Sequence, residues 1–511
     1  MSHASKAPGT PASARVAVAA AGSPRPAEPA NQCPAADPRR WLILPILLAG
    51  AMLAPLDFFI VNVALPAIKA GLDMNAAQVQ FVIAAYTVAY AVLLAISGRL
   101  GDLYGRKRMF IAGMIGFGLA SALCGFAPSA EILIAGRLVQ GITAAVMVPQ
   151  VLATIHIVFP VAERPRALGI FGAAFGLAAI LGQLAGGMLI ALHPFGLSWQ
   201  SIFLVNLPIC VPGAIAAMVL LPDHRPAPGQ RPDMAGILLL TLTLTLLVYP
   251  AVEGREAGWP LWAYIALAAV VPCFALFIEV ERRQLVAGGS PLVDLRLFAN
   301  RRFTLALMTA TLFYAGASFF LTFALYLQDG LGWSALPTSL AILPYGIGFF
   351  LGPFATPALL RRLGHAVVNL GFALMAIGFA VVIGHVLVAR QPGTVMYAGL
   401  FCAGLGQGFV MPALVRFILQ EAGAQYAGLA SGLYNSVLQI GASLSVSTIG
   451  GVYFSVLGEH PDGWRHAHAF AATLACVVIG NLICFGLAWL MRHSPARDSF
   501  TIRKATAHTG G

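Results

Sequence analysis

"VQFVIAAYTVAYAVLLAISGRLGDLYGRKRMFIAGMIGFGLASALCGFA", residues 79–127, carries two apolar stretches joined by a short charged knot. About 20 apolar residues in a helix cross the roughly 30 Å hydrocarbon core of a bilayer, so each stretch is long enough to span. The knot between them holds Asp102 together with Arg99, Arg106, Lys107 and Arg108, and Gly98, Gly101 and Gly105 let two helix ends meet around a very short turn. The segment therefore reads as a membrane hairpin with its charges at one surface. The same alternation fills the chain of 511 residues, which is 59% hydrophobic and 10% charged, with mean hydropathy +0.84. Soluble domains carry roughly a quarter charged residues.

The net charge of +11 does not indicate a nucleic-acid surface, because the bases sit in pairs at the ends of apolar runs. Six of the seven cysteines (Cys124, Cys210, Cys273, Cys402, Cys476 and Cys484) lie inside apolar runs and behave as small hydrophobes. No Cys/His spacing suits zinc, and no cofactor is expected. Residues 1–40, rich in Ala, Pro and Ser, read as a disordered tail.

The spanning ruler gives about fourteen segments: 41–65, 79–99, 108–127, 131–158, 167–191, 201–221, 234–252, 261–280, 303–327, 336–359, 366–389, 395–419, 427–457 and 468–491. An even number puts both termini on one side. Roughly two dozen of the thirty Lys and Arg residues then fall on the terminal side, which the positive-inside rule makes cytoplasmic. The expected location is the cell (inner) membrane.

Acids such as Glu131, Glu163, Glu253, Glu279, Glu281, Asp329 and Glu421 fall at segment ends or in loops, but Asp57, in "MLAPLDFFIVNVALPAI" (52–68), does not. Arg137 is similarly deep, in "AGRLVQGITAA". A mid-bilayer charge costs something like 3 kcal/mol on insertion scales, so such residues face a cavity or a partner. Counting 1.5 Å per residue puts both roughly 10–12 Å below the outer surface. Two readings stand: a titratable carboxylate serving proton transport, or a static buried ion pair. Arg416, near the inner end of its segment, reads as snorkelling to the headgroups.

The knot "SGRLGDLYGRKRMF" (97–110) resembles the signature loop of the major facilitator superfamily, G-x-L-(G/A)-D-x-x-G-R-(K/R). Further stretches resemble the fourteen-helix drug/proton antiporter branch: "LDFFIVNVALP" (56–66), "RLVQGITAA" (137–145), "LGQLAGGML" (181–189), "SWQSIFLVNLPI" (198–209), "LYLQDGLGWSALPTSLAILP" (325–344) and "AGLASGLYNSVLQIG" (427–441). Phe59 stands where that branch has a small hydroxyl residue, and Gln183 where it has proline. The resemblance implies an all-α membrane protein. Six-helix halves at 41–221 and 301–491 would flank two inserted helices within 222–300, with cytoplasmic tails at 1–40 and 492–511.

It also implies a secondary transporter rather than an enzyme, exporting hydrophobic or cationic small molecules in exchange for protons by alternating access. A metabolite, siderophore or lipid is the alternative cargo; a membrane-embedded enzyme or receptor is a third reading. Asp57, Arg137 and Gln140 would carry coupling; Gly98, Gly101, Asp102, Gly105, Arg106, Lys107 and Arg108 would form a gating loop. Implied partners are a small-molecule substrate, protons and membrane lipid, with a periplasmic adaptor and outer-membrane channel as a further class; no nucleic acid is expected. The sequence lacks G-x-x-x-x-G-K-(S/T), so ATP is not the expected energy source.

Small residues at helical spacing, Gly169, Gly172, Gly176, Ala179, Gln183 and Gly187, give the fifth segment one smooth face, with Gly182 and Gly186 beside it. This face would meet the tenth segment at Gly348 and Gly352, as a sliding seam between halves or as plain tight packing. Candidate cavity residues are Asn62, Tyr86, Tyr90, Phe319, Phe323, Asn435 and Gln439. The stripe Ser431, Asn435, Gln439, Ser443 and Ser447 either lines water or bonds between helices, and most of the aromatics read as ordinary core or lipid-facing residues. His460, His466 and His468 read as incidental outer-loop residues, with no metal site.

Overall fold

The structure, a computed structural model, describes residues 38–493 except 161–162, 224–232, 288, 290, 390, 424–425 and 459–462. The tails read from sequence as disordered or cytoplasmic thus fall almost wholly outside the described residues, as does His460. Among the described residues fourteen helices are long and apolar enough to span: α1 Arg40–Gly71, α2 Ala76–Leu94, α3 Arg106–Gly125, α4 Ala130–Ile155, α5 Ala174–Leu192, α6 Ser201–Leu220, α7 Met234–Gly254, α8 Leu261–Val286, α9 Arg301–Gly330, α10 Ala335–Leu363, α11 Ala366–Val388, α12 Thr394–Ala422, α13 Ala430–Leu457 and α14 Gly463–His493. Helical backbone extends α2 to Tyr104 and begins α5 at Arg164. Between residues 395 and 457 the chain divides at Gly423, whose φ of 81° ends α12.

Local chemistry sets the helix ends. Asn75 caps α2 in a reciprocal box with Gln78, and Ser129 and Asn300 cap α4 and α9 through side-chain oxygens. Between α2 and α3 a single residue turns the chain: Gly105 takes φ 93°, a conformation that glycine adopts without steric cost. Pro208, early in the longer part of α6, lacks an N–H, and the helix breaks at Val205 and Asn206. α9 tightens to 3₁₀ geometry at Tyr314–Ala317 and widens to a π turn at Tyr326–Gly330.

The first six helices pack together, as do the last six; α2 packs on α13 and α5 on α10 across the two groups. The hairpin α7–α8, between the two groups in the chain, lies against that seam, with α7 touching both α2 and α13. Large apolar side chains such as Leu119, Val219 and Val271 are about 70% exposed, while Asp57 and Arg137 are fully buried. This inversion suits a lipid surround, which offers apolar side chains a good solvent and leaves polar ones to find partners inside. By the even crossing count Arg40 and His493 share one end of the bundle, the termini face.

Candidate functional site

Asp57 of α1 and Arg137 of α4 form an ion pair between Oδ2 and Nη1, both side chains fully buried. Arg137 Nη1 also donates to Gln140 Oε1 at 2.8 Å, and Nε donates to the Val82 carbonyl of α2 at 3.0 Å. The guanidinium carbon lies 4.4 Å above the Tyr86 ring, a cation–π contact. The other carboxylate oxygen, Oδ1, accepts from Asn206 Nδ2 at 3.1 Å and from Gln140 Nε2 at 3.2 Å. Both amides also donate to Ser121 Oγ of α3, at 3.2 and 2.8 Å. Five helices thus contribute to one buried cluster, in which α4 and α6 bond the carboxylate of α1 directly.

A buried ion pair holds only when further hydrogen bonds occupy its remaining lone pairs and protons. Here two neutral amides do so for Asp57, while Arg137 Nη2 has no hydrogen-bond partner. The amides and the serine cannot gain charge in the physiological range, so one proton delivered to Asp57 changes the charge of the whole cluster by one.

Four of the sequence candidates, Asp57, Arg137, Gln140 and Tyr86, meet here, with the Tyr90 ring 5.8 Å from Tyr86. Asn206 and Ser121 were not anticipated. The Asn-Leu-Pro break was a usable signal for Asn206, because it turns a side chain away from the ordinary helical face; nothing in "LASALCG" marks Ser121. Phe59 brings no hydroxyl to Asp57, and the partners of the carboxylate come from α4 and α6.

A second arrangement lies between the two halves. A cavity is lined by Phe59, Gln183, Phe320, Tyr345, Phe349 and Gln407, among others. Phe59 meets Phe320 edge-on at 5.0 Å across the halves, and Tyr345 donates to Gln407 Oε1. Gln183, where a proline had been expected, keeps Nε2 buried without a hydrogen-bond partner. The walls are aromatic with two amides, and at about 20 Å³ the cavity is closed down to the size of a water molecule.

Other candidates lie elsewhere. Phe319 and Phe323 pack into an aromatic core with Phe379 and Phe470 rather than into this cavity. Asn62 is buried and donates to the Phe58 carbonyl; Asn435 returns to Ser431 on its own helix, and Gln439 is half-buried. Gly182 and Gly186 approach α1 at the Leu56 and Ile60 carbonyls, whereas Gly176 and Gly187 face α10 at Phe350 and Ala335. Gly348 and Gly352, expected opposite α5, instead meet α12 at Phe401, Leu405 and Gly408; the backbones approach there and leave no room for α5. His466, read as a loop residue, is buried in α14, its Nδ1 2.7 Å from the Tyr453 hydroxyl.

The charged knot sits at the termini face, away from Asp57. Gly101 packs on Gln150, Arg106 donates to the Ala153 carbonyl at 3.0 Å, Lys107 lies 3.7 Å from Asp223, and Arg108 is exposed. The surroundings of Gly98, Gly172 and the Asp102 side chain lie outside the described residues. At the opposite face the halves touch: Gln328 of the π turn donates to the Val63 carbonyl at 2.9 Å, and Lys69 pairs with Asp329.

The family model of the Major Facilitator Superfamily matches residues 47–446. A probable actinorhodin transporter of Streptomyces coelicolor is 38% identical over 82% of this chain and 74% of its own. The puromycin resistance protein of Streptomyces alboniger is 34% identical over 90% and 92%. In fold, the chain is similar to a proton-dependent oligopeptide transporter at TM-score 0.58, with 15% identity over 89% of this chain and 99% of the other. With fourteen spanning helices, an intramembrane ion pair and these relatives, the chain belongs to the Major Facilitator Superfamily.

Proposed function

We propose that the protein exports lipophilic small molecules of antibiotic or drug type in exchange for protons, by alternating access, with the termini face in the cytoplasm. The observation that carries this reading is the placement of Asp57 and Phe59 on one helix. The acid faces Arg137 inside the first half, and the ring two residues on faces the cavity between halves. A proton taken up at Asp57 removes the charge that holds Arg137. α1 is then freer to shift against α4, and the shift reaches Phe59, the Val63 carbonyl and Lys69, which touch the other half. Occupation of the cavity and of Asp57 are thereby linked through the position of α1. Substrate chemistry is not required of any residue, and the cycle is transport alone.

The relatives named for a single compound, actinorhodin and puromycin, favour a second reading in which the cargo is one natural product. Inverted membrane vesicles test the main proposal. A fluorescent lipophilic cation should be accumulated under an imposed proton gradient by the wild type, and its addition should release protons; Asp57→Asn should lose both. Normal accumulation by Asp57→Asn would end the coupling reading. A panel of lipophilic compounds as competitors separates a broad from a narrow cargo.

A further inference from the structure

Glu281 was expected at a segment end or in a loop, yet it is 0% exposed, and Asp233, which the sequence reading did not single out, is 4% exposed. Asp233 immediately precedes α7, and its Oδ1 accepts from the Gly236 amide at 2.8 Å. Glu281 lies near the end of α8, and its Oε2 accepts from the Val293 amide at 2.9 Å. That leaves Asp233 Oδ2 and Glu281 Oε1, both buried and both without a hydrogen-bond donor. These two oxygens converge over Gly236. A Cβ there would lie 2.6 Å from Asp233 Oδ2 and closer still to Glu281 Oε1, so glycine leaves the space the pair occupies.

Two ionised carboxylates cannot stay in contact in a buried place without a cation or a proton between them. Among the described residues, the basic groups nearby lie elsewhere: Arg283 pairs with Glu279 on α8, Arg296 with Asp294 on the following connection, and Arg282 is exposed. Among the described residues, Asp233 is the ionisable side chain that bears on Glu281; its other partners are the Leu292 and Val293 amides. A hard metal cation takes six or more oxygens, and here two are free. A proton needs only two.

We propose that Asp233 and Glu281 form a second proton-binding site, a carboxylic acid–carboxylate pair sharing one proton at the termini face. The pair clasps the start of α7, where the chain arrives from the first half, to the Leu292–Val293 segment leading into the second. Because α7 lies against both α2 and α13, the clasp fastens the inserted hairpin over the seam. Loss of the proton leaves two anions facing each other and opens it. Folding from a state with both acids ionised then takes up a proton, so stability falls as pH rises.

The full-length protein in lipid nanodiscs tests this. The thermal unfolding midpoint of the wild type should fall from mildly acidic to mildly alkaline pH, while Glu281→Gln and Asp233→Asn, which replace the shared proton by an amide N–H, should lose that slope and outlast the wild type at alkaline pH. Infrared spectra should contain a carboxylic acid carbonyl band that survives in Asp57→Asn and disappears in Glu281→Gln. Equal pH slopes in wild type and both variants would overturn the proposal, and so would absence of the band. Stabilisation of the wild type at alkaline pH by added sodium or magnesium, lost in the variants, would assign the site to a metal cation and also overturn it. Should Glu281→Gln not fold, Asp233→Asn and the wild-type band decide.

Discussion

Asn206 Nδ2 lies 3.1 Å from Asp57 Oδ1, so a residue at the break of α6 helps to hold the carboxylate of α1 from a distance of 149 positions in the chain. The same amide reaches Ser121. Removing it leaves Oδ1 with Gln140 alone. Hydrogen bonds to charged groups contribute about 1.5–3 kcal/mol, and Asn206→Ala should destabilise the protein by about 2 kcal/mol, read as a lowered thermal midpoint in detergent. An unchanged midpoint would mean that Gln140 and Ser121 suffice.

The Asp57–Arg137 pair should appear strongly coupled. Removing one partner of a buried pair costs about 3–5 kcal/mol, because the other charge stays buried alone, whereas replacing both is often close to neutral. Arg137→Met should therefore be severely destabilising, and Asp57→Asn with Arg137→Met should be milder than the sum of the two. A double-mutant cycle on thermal unfolding measures the difference; additivity would show that the two side chains act independently.

Across the halves, Lys69 Nζ and Asp329 Oδ2 stand 3.4 Å apart with both side chains about one-third exposed. An exposed pair contributes roughly 0–1 kcal/mol, so Lys69→Ala should shift closure of that face by no more than about fivefold. Lys69→Asp should open it further, and the exchange Lys69→Asp with Asp329→Lys should restore it. Labelling rates of a cysteine introduced beside the cavity report each step.

Glu163 receives two hydrogen bonds from Arg40, at 2.8 and 2.9 Å, which hold its carboxyl below the usual carboxylate range. A lowered folded-state value means that this support exists at neutral pH and is lost as pH falls through the acid range. Glu163→Gln should lower the unfolding midpoint at neutral pH, and the gap to the wild type should close on acidification. A gap that widened with acid would contradict the assignment.

Much of the architecture is legible in the sequence, because a bilayer imposes one length and one polarity on every span; the fourteen segments reappear with ends shifted by up to about seven residues. Asp57 and Arg137 were legible for the same reason, since a charge in an apolar run has few explanations. The cavity was not. Phe320, Tyr345 and Gln407 look like ordinary membrane-helix residues, and only the kinks of α9 and the meeting of two halves bring them beside Phe59. The buried state of Glu281 was hidden too, because a chain position near a segment end does not reveal that the α8–α9 connection folds back over it.

Gly187 sits where α5 meets α10, and a Cβ there would lie 2.8 Å from the Ala335 carbonyl and closer still to Ser339 Oγ. A side-chain hydroxyl can turn aside, but a helix carbonyl cannot. Gly187→Ala should therefore push the two helices apart at the face opposite the termini, at a cost of about 1–3 kcal/mol for overpacking, and export should fall with it. Ser339→Ala added to Gly187→Ala should restore little, because the Ala335 backbone remains. Gly384, where an added Cβ would meet nothing within 4 Å, is the control: alanine there should leave export and stability intact or slightly improve the latter. Full recovery in the Gly187→Ala, Ser339→Ala double variant would show that the hydroxyl alone sets the spacing.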